Sequence, residues 1–290
     1  MNNKWPWSNV RIRIHFLFWV VILSAVVTGR FLEIITLFVL VIIHEMGHIT
    51  AAWSFGWRVE SLELLPFGGV AKTDEWGTVS TQEELIVALA GPFHNVMMIL
   101  VGFIFYYASW WSAEWTSYFI YCNALIAGFN LLPIYPLDGG RVFQGVLSYY
   151  LPYRKSIVYS ILIGFALSVA LLGVSVMIGG IHLNLLVIAL FLGLSNWMAY
   201  RQKDFQFIRH LMHRYNCRRS KRTPLVWVDV KQDEKLLSVV KRWKKEGYHC
   251  MRITDGDDPG KVTIPEEVLL THYFQEKNPR ATMKDLIFLR

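Results

Sequence analysis

The sequence predicts an α-helical polytopic membrane protein of about six transmembrane helices with a membrane-associated hairpin, followed by a small C-terminal α/β domain. Three observations point to it. Charged residues make up only 18% of the 290 and hydrophobic ones 54%, whereas a soluble domain carries about a quarter charged residues. The deficit is concentrated: no Asp, Glu, Lys or Arg occurs between Glu84 and Glu114, between Glu114 and Asp138, or between Lys155 and Arg201. Each run is long enough for a helix to cross a hydrocarbon core, which takes about 20 apolar residues. From about Thr223 the pattern changes to short alternating and amphipathic stretches, as in a small soluble domain.

Taken in order, the first expected span covers residues 14–28 and the second residues 31–55, joined by little more than Gly29 and Arg30. Basic residues before an apolar stretch imitate a signal peptide, but no small-x-small cleavage site follows, so the first helix reads as retained. Residues 59–73 alternate and then break at Pro66 and Gly68-Gly69, a hairpin near the membrane. The third span falls within residues 85–111 and the fourth within 118–131. Residues 132–150 are apolar but interrupted by Pro133, Pro136, Gly139 and Gly140. Broken backbone at membrane depth is tolerated only where it is buried in protein or lines a cavity, which marks this stretch as functional. The fifth and sixth spans share the run from 156 to 200, divided at Gly179-Gly180-Ile181-His182.

Orientation follows from Lys and Arg in the short loops. With a cytoplasmic N-terminus, the inner segments hold Lys4, Arg11, Arg13, Arg58, Lys72, Arg154 and Lys155, and the outer loops only Arg30. Both termini are therefore expected in the cytoplasm. Residues 201–222 carry eight Lys or Arg against the single Asp204, so the entire formal charge of +7 resides there. Because this run directly follows a span, it reads as a juxtamembrane linker facing lipid headgroups, and no direct nucleic-acid partner is implied. Cys122, Cys217 and Cys250 are scattered and form no disulfide framework. The expected organisation is a membrane domain (1–200), a basic linker (201–222) and a small domain (223–290). In the last, strands are expected at 225–230, 250–253 and 262–264, and helices at 234–245 and 265–274.

The chemistry concentrates at His44-Glu45-Met46-Gly47-His48. On a helix, residues four apart share a face, so both imidazoles can bind one Zn²⁺. Glu45, beside the first ligand, is placed to take a proton from a water that the metal activates. Three ionisable residues inside an apolar span face a bundle interior, and they serve function more often than interhelical hydrogen bonding. A catalytic zinc also needs a third protein ligand. Asp138 is the only acidic residue between Glu114 and Asp204. From spacing alone it serves equally as that ligand or as the N-cap of a following helix.

The HEMGH motif in a span, Ala90-Gly91-Pro92 with Asn95, and Asn130 followed by Pro136-Leu137-Asp138-Gly139 together resemble the site-2 protease family of intramembrane zinc metalloproteases. That resemblance implies His44, His48 and Asp138 as zinc ligands and Glu45 as the base. It also implies Asn130 and Pro136 as shapers of the substrate site, and the Phe67-Gly68-Gly69 hairpin as an edge on which an extended substrate pairs. The tail looks like a single cystathionine-β-synthase (CBS) domain. A six-span core with such a tail most closely resembles the sporulation branch of the family. Members of that branch process the pro-sequence of a mother-cell sigma factor, on the mother-cell side of the forespore membrane, under membrane inhibitory proteins. The resemblance further implies ATP at the CBS-like domain, and self-association is expected by analogy. The alternative class is a membrane transporter or channel gated by a CBS domain, which has no use for a glutamate between metal-spaced histidines.

Overall fold

The computed structural model describes residues 11–14, 29, 31–65, 68–73, 75–177, 183–216, 224–255, 262–276 and 281–287. The chain divides into two compact units, residues 1–142 and 143–290.

The first unit holds strand β1 (Arg11–Ile14), helix α1 (Phe31–Ser54), strands β2 (Val59–Leu65) and β3 (Gly68–Thr73), and helices α2 (Thr81–Tyr107) and α3 (Ala113–Asn130). Helix α1 packs against both α2 and α3. Leu40, Cys122 and Ile126 bury one patch of that core, and Ile49, Ala52, Trp57, Val59 and Val87 another. Helix α2 opens with a reciprocal cap, in which Ser80 Oγ accepts from Glu83 N–H and donates to the Glu83 carboxylate at 2.9 Å. Ser112 caps α3, accepting from Trp115 N–H at 3.2 Å.

The hairpin expected at 59–73 forms as β2 and β3, antiparallel, with Leu65 opposite Gly68 and Leu64 opposite Gly69. Phe67 lies outside the described residues. Strand β1 was not expected. Residues 11–14 lie parallel to β2, with Ile12 opposite Leu62, giving the order β1-β2-β3. Four residues carry too little alternation to announce a strand, and each pairs with a residue fifty positions away in the chain. Strand β3 is left at an edge of this sheet.

Helix α4 (Asp138–Tyr150) occupies most of residues 132–150, and of the four expected interruptions Gly139 and Gly140 do not break it. The irregular backbone is confined to the stretch before Asp138, and the helix runs through Gly139 and Gly140 without interruption. These glycines permit close approach. A Cβ on Gly139 would collide with the carbonyl of Leu131, and one on Gly140 with the backbone of Ile134 at 2.7 Å.

In the second unit, α5 (Tyr153–Met177) and α6 (Leu183–Asn216) pack against each other. Helix α6 continues unbroken from the apolar span into the basic run, ending at Asn216. The tail contains β4 (Leu225–Val230), α7 (Leu236–Val240), β5 (Tyr248–Ile253), β6 (Thr263–Pro265), α8 (Glu266–Gln275) and α9 (Met283–Ile287). Strand β4 runs parallel to β5, and β5 antiparallel to β6. The helix expected at 234–245 stops at Val240. The chain then turns, burying Trp243, and enters β5 through Gly247 at φ +101°, where a side chain would strike Val226.

Among the described residues, α1, α2, α5 and α6 are long and apolar enough to cross a membrane. The fourth expected span corresponds to α3, which is 18 residues long and falls outside that set. Of the first expected span, Ile14 ends strand β1 instead of opening a helix, and residues 15–28 lie outside the described residues. The outward faces of the long helices are apolar, with Leu100, Ile104, Val169 and Leu194 among the exposed side chains, as lipid contact requires.

Candidate metal centre

Helix α1 carries His44 and His48 one turn apart, and the start of α4 brings Asp138 against them; all three are buried. Asp138 Oδ2 lies 3.2 Å from His44 Nε2 and 3.1 Å from His48 Nε2, and the two Nε2 atoms are 3.2 Å apart. The carboxylate of Asp138 is thus directed at the histidines.

The outer nitrogens show which atoms face inward. His48 Nδ1 is 2.7 Å from the Val87 carbonyl oxygen, which can only accept, so Nδ1 carries the proton. For His44 the chain of bonds is longer but equally directional. Asn123 Nδ2 donates to the Phe119 carbonyl (2.9 Å), and Asn95 Nδ2 donates to Asn123 Oδ1 (3.0 Å). That leaves Asn95 Oδ1 to accept from His44 Nδ1 at 2.5 Å. In the neutral rings both Nε2 atoms therefore present lone pairs.

Two lone-pair nitrogens and a carboxylate oxygen thus converge in a buried place, which a cation satisfies and a neutral core does not. The spacing fits zinc: tetrahedral ligands about 2.0–2.1 Å from the ion stand roughly 3.3 Å from one another. Among the described residues this is the group of His, Cys, Asp and Glu side chains able to hold a metal. Glu45, next to His44 on α1, is buried as well.

Two glycines let the helices come this close. A Cβ on Gly91 of α2 would overlap the rings of His48 and His44, and one on Gly47 of α1 would lie 2.7 Å from the Ala90 carbonyl. His94 is held apart from the cluster, its Nδ1 bonded to the Ala90 carbonyl at 2.8 Å. Asn130 ends α3 with its amide donating to the Ile126 carbonyl at 3.1 Å, and Pro136 lies in the irregular stretch before α4. Neither belongs to the cluster, and Gly68 and Gly69 sit in the hairpin backbone. The sequence reading assigned no role to Asn123. The signal for it was an amide in the middle of an apolar helix, which must find a partner when buried.

The model of peptidase family M50 matches residues 32–115 and 107–171. Stage IV sporulation protein FB of Bacillus subtilis is 29% identical over 293 aligned residues, covering 98% of this chain and 99% of that protein. The zinc metalloprotease MJ0392 of Methanocaldococcus jannaschii is 33% identical over 159 residues, 53% of this chain and 44% of that one. The solved structure of the site-2 protease from the same organism superposes with a TM-score of 0.54 at 27% identity, covering 68% of this chain and 93% of its own. The chain belongs to peptidase family M50, the site-2 proteases, and is an intramembrane zinc metalloendopeptidase.

Proposed function

We propose that His44, His48 and Asp138 hold the zinc ion, that Glu45 is the catalytic base, and that the enzyme releases a membrane-associated pro-protein by regulated proteolysis. The observation that supports this most directly is the convergence of three ligand atoms beside a buried glutamate. Zinc bound there supplies Lewis-acid activation of water and of the scissile carbonyl. Glu45 takes the proton of the attacking water and returns it to the leaving amine, so one carboxylate serves as base and then as acid. Asn95 and the Val87 carbonyl hold the two rings in the tautomer that leaves Nε2 free.

A helical substrate hides its carbonyls in internal hydrogen bonds, so it must be extended before it is cut. Strand β3, at the sheet edge, offers ladder groups to such a segment. Gly68 and Gly69 form the start of that edge, Phe67 is assigned to the same substrate contact in this reading, and Asn130 and Pro136 shape the approach to the metal.

Similarity along nearly the whole chain to a sporulation protein supports a substrate of the same class, the pro-sequence of a sporulation sigma factor. Under this reading the protein is a multi-pass bacterial membrane enzyme with both termini in the cytoplasm. It comprises a membrane protease domain (1–200), a basic linker (201–222) and a CBS-like regulatory domain (223–290). Membrane inhibitory proteins, self-association and ATP at the tail belong to the same family resemblance. Co-expression with a membrane-associated pro-sigma factor tests the substrate. Cleavage that stops when zinc is stripped by a chelator and returns on adding zinc supports the reading. An intact pro-protein beside cleavage of an unrelated membrane-associated substrate removes it.

A further inference from the structure

Arg141 is not used by the metal chemistry, yet it stands beside it. It lies three residues after Asp138 on α4, which places it on the same face of the helix. Its guanidinium carbon lies 4.2 Å from the centroid of the Trp76 ring. Trp76 follows β3 by three residues and meets the ring of Trp57 edge-on at 5.2 Å. Trp57 is itself buried against Ile49 and Ala52, just past His48. The arginine is thus held between the residues that follow the edge strand and the start of α4, where Asp138 lies.

The described carboxylates near this loop each accept a hydrogen bond from a group other than Arg141. Glu75 accepts from Arg58 N–H at 2.8 Å, Glu83 from the Trp57 indole at 3.1 Å and from Ser80, and Glu84 from Gly77 N–H at 2.5 Å. Among the described residues no carboxylate forms an ion pair with Arg141. Stacking occupies the face of a guanidinium and leaves the N–H donors along its edge available. An arginine fixed in this way is preorganised to donate hydrogen bonds to an incoming group.

The substrate brings a need of the matching kind. Unwinding exposes peptide carbonyls at membrane depth, where no water replaces the lost helix bonds. Those lying along β3 find ladder donors, but those between the strand edge and the scissile bond do not. We infer that Arg141 is a substrate-binding residue whose guanidinium donates to the backbone carbonyl oxygens of the extended substrate segment between the β3 edge and the metal. The inference rests on the protease reading of the site. A fold-only role is the competing explanation, with Arg141 acting as a staple that ties α4 to Trp76.

Steady-state cleavage by the full-length enzyme, with a membrane-associated substrate that the wild type cleaves, separates the two roles. Arg141→Gln is expected to raise KM by about ten- to a hundredfold, the worth of a charge-assisted hydrogen bond, with kcat little changed and zinc stoichiometry intact. Arg141→Lys, which keeps the charge but not the stacked fork, recovers part of the loss. In a Glu45→Gln background, where substrate binds without being cut, Arg141→Gln lowers substrate affinity by the same factor. A fall in zinc content or thermal stability at unchanged KM assigns a staple and overturns the inference. A fall in kcat alone also overturns it. Because Glu45→Gln by itself reports on the protease reading, failure of that reading is seen separately.

Discussion

Asn95 Oδ1 accepts from His44 Nδ1 at 2.5 Å, and this bond leaves His44 Nε2 to face the Asp138 carboxylate. The bond is directional because Asn123 and the Phe119 carbonyl fix the orientation of the Asn95 amide from behind. Partners of this kind typically set 10–100-fold of metal affinity. Asn95→Leu is therefore expected to weaken zinc binding by about that factor in a chelator competition, while Asn95→Asp, which still accepts, loses less. Equal affinity in all three proteins would show that the tautomer is held by something else.

Gly91 occupies the point where α2 passes the two histidine rings, and a methyl group there would overlap both of them. Gly91→Ala should lower zinc stoichiometry and cleavage together, at an overpacking cost of about 1–3 kcal/mol. Gly128 on α3 is the natural control, since a Cβ there meets nothing within 4 Å. Gly128→Ala should leave both quantities unchanged. A Gly91→Ala enzyme that binds zinc and cleaves normally would mean that the helices separate easily.

The tail is joined to the end of α6 by a buried pair. Arg214 Nη2 lies 2.6 Å from Glu266 Oε2 and 2.6 Å from the Gly247 carbonyl, with the two side chains only 11% and 9% exposed. His249 stacks on Trp243 and accepts at Nε2 from Lys244 N–H at 3.1 Å. Removing one member of a buried pair costs about 3–5 kcal/mol, so Arg214→Ala should speed hydrogen exchange across β5 and α8. Unchanged protection there would remove this pair as an anchor.

The same cluster gives the tail a pH dependence. Burial pushes the Glu266 carboxyl up, but hydrogen bonds from His249 and the Arg214 guanidinium outweigh it and hold the group below its usual 4.5. Burial holds the His249 imidazole below its usual 6.5, with the Arg214 charge acting in the same direction. Both groups take up protons more readily in the unfolded chain, so stability falls as the pH falls. The loss begins below about pH 6.5 through His249 and deepens below about 4.5 through Glu266. Proteolysis of the tail should rise over that interval at constant enzyme activity of the added protease. A rate that is flat from pH 7 to 5 would contradict the assignment.

How much of this was legible in the sequence depended on distance along the chain. His44, Glu45 and His48 could be placed because a helix puts residues four apart on one face, and the apolar run fixed the helix. Asp138 stayed undecided between ligand and cap because its partners are ninety or more residues away and only the fold brings them together. The same limit hid the Asn123–Asn95–His44 chain and the pairing of β1 with β2. In the sequence Gly139 and Gly140 read as breaks because glycine signals backbone freedom and close approach alike, and only the packing against Leu131 and Ile134 separates the two. In the tail, periodicity extended a helix across 234–245 that the burial of Trp243 ends early.

One experiment bears on the whole mechanism: cleavage of a membrane-associated pro-protein by wild type and Glu45→Gln, with zinc measured on both purified proteins. The substitution keeps the shape of the side chain and removes only the carboxylate. Zinc should remain at wild-type stoichiometry while cleavage falls by about 10²–10⁴-fold, the usual contribution of a general base. Cleavage at the wild-type rate by the zinc-loaded variant would take Glu45 out of the reaction and require another base.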